Sequence, residues 1–168
     1  MQEPGAPITN LQDRSPAELL ALHAKITDEL RERGVIRSAN NPTGDLAEYL
    51  FCKAFGWDRS GPSHPSADAT GNDGTLYQIK ARRMTQRNTS RQLGALRGLP
   101  DGGFHVLAGV LFAPDYLVQR AAMISHELVL KHAKYRKHTN CWIFFLPEVA
   151  WTWPGVRDVT EALRAVPF

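Results

Sequence analysis

Residues 67–83 read Ala67-Asp68-Ala69-Thr70-Gly71-Asn72-Asp73-Gly74-Thr75-Leu76-Tyr77-Gln78-Ile79-Lys80-Ala81-Arg82-Arg83. The centre, Gly71 to Gly74, is turn chemistry. The flanks, residues 67–70 and 76–82, suit strands, so the stretch is predicted to fold as a β-hairpin. A three-residue loop, Asn72-Asp73-Gly74, with Gly74 in the left-handed conformation that closes such loops, sets the register. Gly71 then faces Thr75, and Asp68 faces Gln78. Directly opposed residues point to the same side of a sheet, and Lys80, two residues on, points there as well. Asp68, Gln78 and Lys80 therefore converge on one face, while Ala69, Tyr77 and Ile79 supply an apolar face for the core. A slip of one residue would abolish the convergence.

Upstream, Ser15, Pro16 and Glu18 form a helix start with a capping box. Leu19, Leu20, Leu22, Ile26 and Leu30 recur at helical spacing, and Gly34 suits the left-handed cap. After a break at residues 40–42, Thr43 or Asp45 opens a second helix that ends at Gly56. On it Glu48, Phe51, Cys52 and Phe55 share one stripe. Phe51 and Phe55 belong to the core, which puts Glu48 at the edge of a buried face, where a carboxylate requires a partner. The simpler reading is a solvated Glu near the helix start, satisfied by the dipole.

Downstream, residues 58–66 read as a polar loop with Pro62 and Pro65. Residues 88–97 suit a short helix, 100–103 a turn, and the apolar run 104–112 a buried strand. Residues 115–136 read as a long helix with Leu117, Ala121, Ile124, Leu128 and Ala133 on one face. A second buried strand at 141–146 and a closing helix at 158–166 complete the order. The fold class is α/β (α+β): a central mixed β-sheet of four to five strands flanked by helices. Residues 1–14 are expected to be a flexible N-terminal arm and 15–168 a single domain.

Composition narrows the function. The chain has 168 residues, 43% hydrophobic and 22% charged, enough for one sizeable core and too apolar for a disordered segment. Two cysteines, Cys52 and Cys141, exclude a disulfide scaffold and a four-cysteine zinc site. No apolar run approaches the roughly 18 residues of a spanning helix. Residues 1–10 carry Glu3 and two prolines, unlike a signal peptide, so a cytoplasmic protein with no membrane partner is expected. The net charge of +3 permits a nucleic-acid partner without requiring one.

The converging trio has a chemical use. Magnesium takes oxygen ligands and binds through one or two carboxylates together with substrate phosphate. Asp68 and the Gln78 carbonyl can supply two oxygens, and Glu48 can hold a coordinated water or a second ion. Such a metal activates water and stabilises charge on phosphate, while Lys80 orients the water and offsets developing negative charge. As a surface salt-bridge patch the same trio would be unremarkable.

The segment Gly44-Asp45-Leu46-Ala47-Glu48, then Asp68, then Tyr77-Gln78-Ile79-Lys80-Ala81-Arg82-Arg83, resembles the PD-(D/E)xK nuclease superfamily. That superfamily builds its site from a helix Glu, a strand Asp and an (E/Q)-x-K on the next strand. The resemblance implies a restriction-endonuclease-like fold with Glu48, Asp68, Gln78 and Lys80 as catalytic residues. It also implies magnesium, with manganese substituting, on Asp68, Gln78 and Glu48. The chain departs from the pattern twice: Ser66-Ala67 precedes Asp68 where a Pro is usual, and Gln78 replaces a carboxylate. The matching region spans residues 44–97, about a third of the chain.

Charge distribution points the same way. Between Gly74 and Pro100 there is no Asp or Glu, yet Lys80, Arg82, Arg83, Arg87, Arg91 and Arg97 occur, with Asn88 among interleaved polar residues. A basic stripe beside such a site suits phosphate contacts, although a solvated basic face would look the same. A second cluster, Lys131, Lys134, Arg136 and Lys137 with His132 and His138, is expected to end the long helix, where the dipole alone favours cations. The histidines show no zinc spacing, and Cys52 reads as core. Trp142, Trp151 and Trp153 read as packing residues.

The leading expectation is a metal-dependent DNA endonuclease of restriction or repair type, acting on DNA and open to homodimerisation. The alternative is a non-catalytic nucleic-acid-binding domain of nuclease fold, a subunit of a defence or repair complex. A scaffold with an incidental basic face is the third reading.

Overall fold

The computed structural model describes residues 10–38, 40–60 and 66–168. In chain order they form α1 (Pro16–Glu32), α2 (Thr43–Phe55), β1 (Asp58–Arg59), β2 (Ala69–Thr70), β3 (Leu76–Arg83), β4 (Val106–Phe112), β5 (Val118–Ser125), α3 (His126–His132), β6 (Lys134–Arg136), β7 (Cys141–Ile143), β8 (Arg157–Asp158) and α4 (Thr160–Arg164). Residues 1–9 of the expected arm, and residues 61–65 of the polar loop, lie outside the described residues.

The hairpin forms in the expected register. Ala69 pairs with Tyr77 and Thr70 with Leu76. In the loop the Gly71 N–H donates to Thr75 O at 2.8 Å, and Gly74 takes φ +80°. That angle is strained for any residue with a Cβ. The Asp73 carboxylate accepts the Thr75 N–H at 3.0 Å and fixes the turn.

The hairpin is part of a six-stranded mixed sheet of order β1-β2-β3-β4-β5-β8. Only β3 and β4 run parallel; the other neighbours are antiparallel. Three of its strands were not foreseen: β5, which was read as helix, and the two-residue edges β1 and β8, too short to carry a period. A separate antiparallel pair, β6–β7, lies outside this sheet.

Both faces of the sheet are covered. On one side Leu46, Ala47, Leu50 and Phe51 of α2 pack on Ala69, Ile79, Ala108, Val110 and Phe112. On the other side Leu93, Leu96, Leu99, Phe144 and Leu146 cover Leu107, Leu111, Ala122 and Ile124. Gly109 permits this second layer, since a Cβ there would stand 2.9 Å from Leu93 Cδ1. Phe51, Trp57 and Tyr77 stack in series, with Trp57 and Tyr77 centroids 3.6 Å apart. Aromatic pairs of this kind add about 0.5–1.5 kcal/mol beyond burial, and this one ties the end of α2 to β3.

Three sequence expectations are corrected. Residues 115–136 are not one helix but β5, the short α3 and β6. Tyr116, at φ +67°, turns the chain so that β5 pairs back on β4. The run Ala121-Ala122-Met123-Ile124 is apolar because both faces are buried, and a short run buried on both sides does not distinguish strand from helix. Residues 88–97 are extended, not helical. Leu93 N–H donates to Phe144 O, and Leu96 and Trp142 exchange backbone hydrogen bonds at 2.9 and 2.8 Å. The strand expected at 141–146 ends at Ile143; it pairs with β6 and, through an isolated bridge at Trp142, with Leu96.

The helix starts hold. Ser15 and Glu18 form the capping box of α1, and Gly34 and Gly56 take left-handed φ at the helix ends. α1, however, buries no residue: Leu20 is 71% exposed and Ile26 47%, and only Leu30, near its end, packs against the core. Among the described residues no helix is long and apolar enough to cross a membrane.

Candidate functional site

Asp68 directly precedes β2 and lies opposite Gln78. Its N–H donates to Tyr77 O at 2.8 Å and its own carbonyl accepts the Ser60 N–H at 2.9 Å, so its backbone is held from both sides. Past this point the Ile79 N–H turns to the carboxylate, donating to Asp68 Oδ2 at 2.7 Å. The Gln78 carboxamide Nε2 donates to the same oxygen. Lys80 Nζ stands 4.0 Å from it. Asp68 Oδ1 accepts no hydrogen bond from the described residues. The structure thus brings Asp68, Gln78 and Lys80 together on the face opposite the Ile79 core, as the register requires. Both charged side chains keep about a quarter of their surface open to solvent, 27% for Asp68 and 25% for Lys80.

Glu48 approaches from α2, mostly buried and paired with cations. It accepts from Arg37 Nη2 at 2.8 Å and faces Arg59 Nε at 3.6 Å. Burial raises its pKa first, the Asp68 charge raises it further, and the two guanidinium groups oppose both. The two carboxylates therefore share one electrostatic field. Arg37 is set by a neighbouring anchor: its N–H and that of Ser38 donate to Asp45 Oδ2 at 2.9 and 2.8 Å. Burial works against the Asp45 charge, but these N–H groups and the Ser38 hydroxyl hold its pKa below the ordinary value. Arg59 Nη2 donates to Asp45 O at 2.6 Å.

Sequence reasoning missed Arg37, Arg59 and Asp45 in these roles. Arg37 lies in a loop and Arg59 on an edge strand, where no period selects them. The available signal was chemical: a carboxylate on a buried edge calls for a cation. Cys52 is half-buried on the same helix, and burial pushes its thiol up to about 11, which keeps it protonated at neutral pH.

Compared with protein-family models and with curated proteins, the chain matches none. The site stands on its geometry.

Among the described residues no three His, Cys, Asp or Glu side chains converge to hold a metal. The donors at this site are two carboxylates and an amide. Asp68 Oδ1 is unengaged, and an amide nitrogen and oxygen exchange places by a flip, so Gln78 can present its carbonyl. All of these are hard oxygen donors, which fit magnesium or manganese.

The basic stripe divides. Arg82 Nη2 donates to Asn88 Oδ1 at 3.1 Å, which steadies the turn after β3. Arg83 donates from Nε to Pro114 O at 2.8 Å and lies 4.5 Å over the Tyr116 ring. Arg91 pairs with Glu148 at 2.8 Å, and Glu148 also holds Arg120 at 2.9 Å. Arg87 and Arg97 are exposed. Arg83 and Arg91 therefore serve internal contacts, and Arg87 and Arg97 are the stripe's open cations.

Proposed function

We propose that this protein is a metal-dependent DNA endonuclease of the PD-(D/E)xK type, hydrolysing phosphodiester bonds. The observation that carries the reading is the convergence of Asp68, Gln78 and Lys80 across β2 and β3, with the Glu48 carboxylate in the same field. Along the chain come Glu48 on α2, then, after β1, Asp68 directly before β2, then Gln78-Ile79-Lys80 on β3, the order helix Glu, strand-start Asp, strand Gln-x-Lys.

In this reading Asp68, the Gln78 carbonyl and Glu48 hold magnesium. When bound, the ion supplies Lewis-acid stabilisation of the charge that builds on the scissile phosphate. Asp68 keeps the Lys80 ammonium beside the site. Lys80 orients the attacking water and offsets negative charge on the phosphate. The Ile79 N–H fixes the Asp68 carboxylate, so that little rearrangement is needed during reaction. Arg87 and Arg97 contact substrate phosphates.

A second reading, a nucleic-acid-binding subunit without catalysis, has its own support. Gln78 already satisfies Asp68, and Arg37 and Arg59 already neutralise Glu48. The deciding experiment is incubation of supercoiled plasmid with magnesium, with manganese and with EDTA. Nicking or linearisation that needs the metal supports the endonuclease. Retained DNA binding with no cleavage in either metal supports the second reading.

A further inference from the structure

Two stretches of the chain lack acidic residues: 75–100, and 128–147. The first carries Lys80 and the five arginines from Arg82 to Arg97. The second carries Lys131, Lys134, Arg136 and Lys137 with His132 and His138. The fold lays them side by side through the backbone bonds of Leu93 with Phe144 and of Leu96 with Trp142. Between them runs a groove of about 450 Å³ whose wall includes Gln92, Arg97, Arg136, His138 and Thr139 and no acidic residue. The segment forming one wall also touches the candidate site, since a Cβ on Gly94 would lie 3.5 Å from Lys80 Cδ.

A helix dipole does not account for the second cluster. α3 ends at His132, and Lys134, Arg136 and Lys137 lie beyond it on β6 and the following turn, exposed. None of these three cations forms an ion pair among the described residues. Arg136 lines the groove, and Lys134 and Lys137 flank it in the chain. Neighbouring unpaired cations repel each other, and a polyanion relieves that repulsion while releasing its own counterions.

We infer that this groove holds the phosphodiester backbone of duplex DNA on its way from the candidate site, with Arg97, Arg136 and the β6–β7 hairpin as phosphate contacts. The inference rests on the endonuclease reading for its choice of polyanion. It adds a second stretch of chain, outside residues 44–97, to the nucleic-acid surface. These contacts grip phosphate and read no bases.

The test measures binding of a labelled DNA duplex in EDTA over a range of salt. Changing Lys134, Arg136 and Lys137 together to Ala should lower the slope of log affinity against log salt by about two to three, near 0.9 for each lost contact. A control that removes the same charge from α1 and its C-cap, Lys25, Arg31 and Arg33 to Ala, should leave the slope unchanged. Thermal midpoints of both variants establish that they fold. An unchanged slope in the hairpin variant, an equal drop in the control, or no duplex binding by the wild type overturns the groove. Metal-dependent cleavage with an unaltered hairpin slope sinks the groove alone. Groove-dependent binding with no cleavage in magnesium or manganese sinks the endonuclease and leaves the groove standing.

Discussion

Gln78 faces Asp68 across β2 and β3 and donates its carboxamide Nε2 to Asp68 Oδ2. An amide in this place satisfies the carboxylate without adding charge. Gln78→Glu would set two carboxylates opposite each other, which costs about 1 kcal/mol in a directly facing pair. The expected outcome is a lower thermal midpoint in EDTA that magnesium or manganese restores by more than it raises the wild type. A variant indifferent to both metals would argue against a cation between these residues.

In the endonuclease reading proposed above, Lys80 should be needed for chemistry more than for folding. Its ammonium stands 4.0 Å from Asp68 with 25% of the side chain exposed, a geometry worth less than about 1 kcal/mol as an ion pair. Lys80→Ala should abolish metal-dependent plasmid cleavage and shift the thermal midpoint by only a few degrees. Cleavage at the wild-type rate would remove Lys80 from the mechanism.

Glu48 should leave a signature in the pH dependence of stability. Its pKa is raised above 4.5, chiefly by burial, so the folded protein takes up this proton more readily than the unfolded chain. Stability relative to a Glu48→Gln variant therefore grows as pH falls from neutrality towards 4.5 and levels off below it. Thermal midpoints of the two proteins across that window give the answer. A difference that shrinks towards acid would contradict the burial.

Asp45 should behave oppositely. Its pKa lies below 3.8 because, against the cost of burial, backbone N–H groups of Ser38 and Arg37 favour the charge. Its contribution is present above pH 3.8 and is lost as pH falls through the lower folded value. Asp45→Asn should destabilise by about 1 kcal/mol at neutral pH, a modest figure for a partly exposed carboxylate, and the gap should close below 3.8. A gap constant with pH would mean that the N–H groups do not depend on the charge.

The arginines of the stripe should separate by role. Arg87→Ala and Arg97→Ala should each reduce the salt slope of DNA binding by about one. Arg83→Ala and Arg91→Ala should leave the slope in place and affect stability instead, through Tyr116 and Glu148. Equal slopes for all four variants would show that exposure does not select the DNA contacts.

What the sequence disclosed follows from the range of the forces involved. The β2–β3 register was legible because Gly74 and the Asn72-Asp73 turn are local, and Asp68 lies only ten residues from Gln78. The capping box of α1 and the glycine ends of both long helices are equally local. The β5–α3–β6 segment was misread because its apolar run is buried on two faces, one by α4 and α2, the other by Phe144 and Leu146. Burial from both sides erases the period that would mark a strand. Arg37 and Arg59 were invisible for a related reason. Their partner is chosen by where α2 lies over the sheet, which no local pattern records.

The sheet closes at both margins with a strand of two residues, Asp58–Arg59 on one side and Arg157–Asp158 on the other. Each pairs one acidic with one basic side chain and offers too little backbone to template a further strand. Charge and brevity at an edge are the usual guards against edge-to-edge polymerisation. A sheet built this way can be held at high local concentration without its edges seeding fibrils. Self-association through the six-stranded sheet is thereby directed to side-chain surfaces, such as the exposed leucines of α1, and away from its hydrogen-bonding edges.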